Sequence, residues 1–91
     1  MAELYHIYLD PKEGVTSEQI KKKLDLAVDW YKYAENCWIV ETTSDASKWQ
    51  LRLRPLAEPD GSLLIFKLDH TERQGWMTTK FWDWLKDKGK A

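Results

Sequence analysis

Few side chains in this chain are equipped for chemistry, and they are scattered. Asp10 stands where an extended run, Leu4-Tyr5-His6-Ile7-Tyr8-Leu9, meets Pro11. A carboxylate at a strand end, set beside its counterpart from a second copy, could hold Mg²⁺ through its oxygens and bound waters and ready a water for attack on phosphate. The same residue before a proline has a plainer and weightier role, accepting hydrogen bonds from loop N–H groups. Cys37 opens the apolar run Cys37-Trp38-Ile39-Val40, with no histidine near it in sequence to draw off its proton. It reads as a small buried hydrophobe rather than a nucleophile. His6, between Tyr5 and Tyr8 on the same run, reads as a packed or interface histidine, a pH-sensitive contact being the alternative. His70 falls in a polar loop and reads as solvated. Two histidines so far apart make no zinc site.

The elements that must position these residues follow from pattern. In the first run Tyr5, Ile7 and Leu9 alternate with Leu4, His6 and Tyr8, both sets substantially apolar, as on a strand covered on both faces. Thr16-Ser17-Glu18-Gln19 is a capping box, and Ile20, Leu24, Ala27 and Val28 recur on one helical face behind it. Lys21, Lys22 and Lys23 fall mostly opposite, as a solvated face. A tight hairpin comes next: Trp30 to Ala34, a reversal at Glu35-Asn36, then Cys37 to Thr42, rich in aromatic and β-branched residues. Ser44-Asp45 caps a second helix with Ala46, Trp49, Leu53 and Leu56 inward, which Pro55 should end or kink. Glu58-Pro59-Asp60-Gly61 is a turn in which glycine would accommodate positive φ. Ser62 to Leu68 is the last strand. A short helix carrying Phe81, Trp84 and Leu85 on one face, with Trp82 on another, closes the chain at Gly89.

The order β-α-β-β-α-β plus a C-terminal helix is an α+β pattern, the ferredoxin-like βαββαβ antiparallel sheet in strand order 4-1-3-2, in one domain over 1–91. That topology sets Asp10, Cys37 and the Glu35-Asn36 turn at one end of the sheet and Glu41, Asp69 and His70 at the other. An assembly of Cys37, His70 and Asp10 is thereby excluded. Two helices would cover one face and leave the other open, with more apolar surface than a lone chain should expose. A homodimer through that face or an edge strand is therefore expected, with Tyr8, Trp38, Ile65 and Trp82 as contact candidates. Six tryptophans in 91 residues point the same way, because so thin a core cannot hold them all.

Charge narrows the field. Fourteen basic and 15 acidic residues give a formal charge of −1, which argues against a broad nucleic-acid footprint. Tyr8, Tyr31, Tyr33, Trp30 and Trp38 could stack bases as an RNA-binding sheet does, but the glycine-aromatic strand pattern of such sheets is absent from Cys37–Thr42. One cysteine excludes an internal disulfide and suits a reducing compartment. There is no apolar run near the ~20 residues of a membrane span and no signal-peptide pattern, so the expected location is the cytoplasm.

The stretch Cys37-Trp38-Ile39-Val40-Glu41-Thr42-Thr43-Ser44-Asp45-Ala46, with Leu53-Arg54-Pro55-Leu56, Asp60-Gly61-Ser62-Leu63-Leu64-Ile65 and Trp82-Asp83-Trp84-Leu85, resembles the small bacterial SinR family. That family is similar in turn to VapD-type and CRISPR-adaptation endoribonucleases. The resemblance implies a ferredoxin-like homodimer and, through the nuclease relatives, a Mg²⁺-dependent cleavage of RNA by an aspartate following an aromatic residue near the end of the first strand. Here Tyr8 is followed by Leu9, and the acid comes one place later at Asp10. On a strand, one place sends a side chain to the opposite face. The leading expectation is a dimeric protein acting through protein contacts, accessory or regulatory in a bacterial or phage system and without a cofactor. The alternatives are a Mg²⁺-dependent endoribonuclease using paired Asp10, and an RNA-binding sheet.

Overall fold

The computed structural model describes residues 2–69 and 71–88. His70 and Gly89, read above as a solvated loop residue and a helix stop, lie outside the described residues. The elements are β1 (Glu3–Asp10), α1 (Ser17–Leu24), β2 (Asp29–Ala34), β3 (Cys37–Thr42), α2 (Ala46–Ala57), β4 (Ser62–Lys67) and α3 (Thr79–Lys88). They build a four-stranded antiparallel sheet ordered β2-β3-β1-β4, which is 4-1-3-2 read from the other edge.

Local chemistry explains the boundaries. The hairpin turns in two residues because Asn36 takes φ 62°, a conformation asparagine tolerates. Thr16 caps α1 by accepting from the Gln19 N–H at 3.2 Å, while its own N–H donates to the Gln19 side chain at 2.8 Å. Asp45 caps α2 by accepting from the Lys48 N–H at 3.0 Å. Three details depart from expectation. The first helix stops at Leu24, and Val28, expected on its inward face, is 66% exposed. Its N–H is already committed to the Glu41 carbonyl at 2.8 Å, so the sheet takes the chain before the helix can continue. Of the two expectations for Pro55, ending α2 is the one that fails: the helix runs on to Ala57. The N–H that proline lacks would have gone to Leu51, on the exposed flank of the helix, where water can serve that carbonyl.

The third concerns Gly61, which does not take positive φ; Gly14 does. Gly61 is needed for space. A β-carbon there would lie 2.2 Å from the Asp10 carbonyl oxygen and 2.8 Å from that of Ala57. The close approach lets the Gly61 N–H reach the Ala57 carbonyl at 2.6 Å and the Lys12 N–H reach that of Leu56 at 2.8 Å, tying the end of β1 to the end of α2.

The core lies on both sides of the sheet. One face, with Tyr5, Ile7, Leu9, Trp38 and Val40, packs under Ile20 and Leu24 of α1 and Trp49, Leu53 and Leu56 of α2. Thr42 and the buried indole of Trp49 share a hydrogen bond at 3.1 Å, so the largest core side chain keeps its polar atom satisfied. The other face, expected to be open, is covered over part of its area. Leu4 and Ile39 are buried there beneath Phe81 and Leu85 of α3, with Tyr31, Tyr33, Met77, Trp82 and Trp84 around them.

Candidate functional site

The second sheet face divides into a covered and an uncovered half, and the division follows from where α3 is held. Strand alternation puts Asp29, Tyr31 and Tyr33 of β2 and Cys37, Ile39 and Glu41 of β3 on this face, beside Leu4, His6 and Tyr8 of β1 and Leu64 and Phe66 of β4. The helix lies over the β2–β3 side. Tyr31 meets Phe81 edge-on at 5.6 Å and Trp84 at 5.5 Å, and Tyr33 meets Phe81 at 6.0 Å. At the far end the Trp84 indole donates to Asp29 Oδ2 at 3.0 Å, Lys88 Nζ donates to the same oxygen at 2.8 Å, and Lys88 pairs with Glu41 at 3.1 Å. Burial alone would raise the Asp29 carboxyl. Hydrogen bonds from Lys88, the Trp30 N–H and Trp84, with the Lys88 charge, outweigh it and hold the group below its ordinary value. Lys88 is the converse: burial would lower it, and bonding to Asp29 and Glu41 raises it.

Among the described residues no helix lies over the β1–β4 side of this face. Leu64 is 50% exposed and Phe66 58%, with half-buried Tyr8 and His6 alongside. The segment between β4 and α3 places Trp76 almost wholly in water, at 98% exposure. Near it Trp82 stacks edge-on to Phe81 at 5.3 Å and lies against Gly75, and an apolar cavity of about 270 Å³ opens between Tyr33, Ile39, Met77 and Trp82.

Where the halves meet, the Tyr33 hydroxyl and His6 Nε2 share a hydrogen bond, with Cys37 neighbouring Tyr33. Burial lowers the His6 pKa, keeping the ring neutral near pH 7 and able to accept from the phenol. Burial first, and then the neighbouring Cys37, push the Tyr33 hydroxyl up. Sequence distance concealed the pair: His6 and Tyr33 are 27 residues apart in the chain and meet across β3.

The remaining candidates are dispersed. Asp10 is exposed at the end of β1, paired with Ser62. Among the described residues no group of three or more His, Cys, Asp or Glu stands close enough to hold a metal ion. Trp38, at 4% exposure, is sealed in the helix-side core, and Ile65 packs against the same core. Trp82 is half-buried beneath the segment carrying Gly75. Of the five aromatics considered for base stacking, Trp30 and Trp38 lie on the helix side and Tyr31 and Tyr33 under α3; Tyr8 alone faces the uncovered half.

No protein-family model matches this chain, and no curated protein or solved structure matches it. The functional reading therefore rests on the chain's own surfaces. Among the described residues no helix is long and apolar enough to cross a membrane.

Proposed function

We propose that this chain is a ferredoxin-like module that works as a homodimer through protein contacts, in an accessory or regulatory role, with the uncovered half of its second sheet face as the working surface. The observation that carries this reading is the adjacent pair Leu64 and Phe66, each at least half in water on an otherwise well-buried sheet. Apolar side chains grouped on a face that the chain has the means to cover, and covers only in part, mark a place for a partner. The strand order and the two helices on one face support the ferredoxin-like assignment.

Light scattering on the full chain between 5 and 200 µM (about the range in which modest interfaces assemble) tests the reading. A mass of two chains is expected at the upper end, falling to one chain for Phe66→Ser. A single-chain mass for the unaltered protein throughout would overturn it.

A further inference from the structure

The two edges of the sheet are unequally defended. Edge strands ordinarily carry charges, bulges or prolines that discourage a further strand from pairing. The β2 edge has such devices: Lys32 in mid-strand, Asp29 at its start and a register irregularity between Lys32 and Ala34. The β4 edge has only one charge, at its last residue. From Ser62 to Phe66 it is regular and uncharged, and Lys67 ends it. Beside it, between α2 and β4, is a groove of about 350 Å³ lined by Ala57, Leu63 and Ile65 and by the polar Gln50, Arg54 and Glu58.

We infer that β4 pairs antiparallel with β4 of a second copy, about a two-fold axis at Ile65, to make one continuous eight-stranded sheet. This rests on the homodimer reading and specifies its geometry. The strand is complementary to itself. With Ile65 opposite Ile65, Leu64 of each copy stands opposite Phe66 of the other on the uncovered face, so the exposed apolar residues of each chain meet those of its mate side by side across the seam. Charge allows the same direction: in the antiparallel pairing Lys67 stands opposite Leu63 of the other copy, whereas an in-register parallel pairing would set Lys67 beside Lys67. The groove beside α2 gives room for Leu63 and Ile65 of the incoming strand, and its wall carries both signs in Arg54 and Glu58, which a two-fold axis matches to their reverse.

Sedimentation velocity on the full chain and two variants, Phe66→Lys and Leu64→Glu, tests the register. Both positions are exposed in the single chain, and circular dichroism checks that each variant folds. Each variant alone should self-associate at least ~30-fold more weakly than the parent. Mixed one to one they should form a heterodimer, because the lysine introduced in the first then faces the glutamate introduced in the second, which restores pairing that neither has alone. Variants that still dimerise like the parent, or a loss that mixing does not repair, would overturn the β4 pairing while leaving a homodimer by another surface. A parent chain that stays monomeric, as it would if β4 received a strand from a different protein, would overturn both.

Discussion

Gly61 shows how much can depend on the absence of one methyl group. Its α-carbon sits where three backbone segments converge, and a β-carbon would overlap the Asp10 carbonyl oxygen at 2.2 Å. Neither that atom nor the Ala57 oxygen belongs to a flexible side chain, so the clash must be relieved by moving backbone. Gly61→Ala should therefore cost about 2–3 kcal/mol, unlike a glycine replaced at an open turn, where the change is near neutral or favourable. Thermal unfolding followed by circular dichroism should show a melting temperature lower by at least ~10 °C. Gly14→Ala makes a comparison of different cause, since its strain comes from φ 92° with nothing within 4 Å. A Gly61→Ala protein melting with the parent would mean that the α2–β4 turn is not packed as described.

At the scale of elements, the decisive contact is the clasp between α3 and the start of β2. Asp29 is partly exposed, so its bonds to Trp84 and Lys88 are screened by water and contribute about 1 kcal/mol together rather than several. The sign with pH follows from the directions. Asp29 is held below its ordinary value of 3.8, so its contribution is present above that pH and is lost as pH falls through the depressed value. Lys88 is held above 10.5, so its contribution is present below that pH and is lost as pH rises through the raised value. Near-ultraviolet circular dichroism, which reports on Trp84, should stay level between these limits and change on both flanks; Asp29→Asn should remove most of the acid flank. An acid flank of full size in the Asp29→Asn protein would show that α3 is held by its aromatic face alone. The sequence made the hairpin and the Thr16 and Asp45 caps legible because their determinants lie within a few residues of one another. It made the apolar face of α3 legible too, through Phe81, Trp84 and Leu85. It did not show where that face docks, because the partners Tyr31 and Asp29 lie some fifty residues back and periodicity carries no address. The same reason hid the His6–Tyr33 hydrogen bond, and the early end of α1, which a hydrogen bond to Glu41 on another strand decides.

For the whole molecule, the arrangement of two copies discriminates between protein-contact and nuclease readings. Paired Asp10 carboxylates could share one Mg²⁺ only if the dimer brought them within a few ångströms. Asp10 is paired with Ser62 at one end of β4. In the antiparallel β4 pairing, Ser62 stands opposite residue 68 of the other copy, so the two Asp10 residues lie at opposite ends of the joined strands. Two β4 strands also separate them laterally. With strands ~4.8 Å apart and a rise of ~3.4 Å per residue, the separation comes to roughly 25 Å, far too wide for one ion. The edge-paired dimer therefore predicts that Mg²⁺ does not stimulate RNA cleavage by the purified chain and that Asp10→Asn leaves any background rate unchanged. A gel assay on labelled single-stranded RNA, run with Mg²⁺ and with chelator beside the variant, checks this. Cleavage that needs Mg²⁺ and disappears with Asp10→Asn in a folded protein would require a dimer that brings the ends of β1 together, and β4 would then have to be left free at the outer edge.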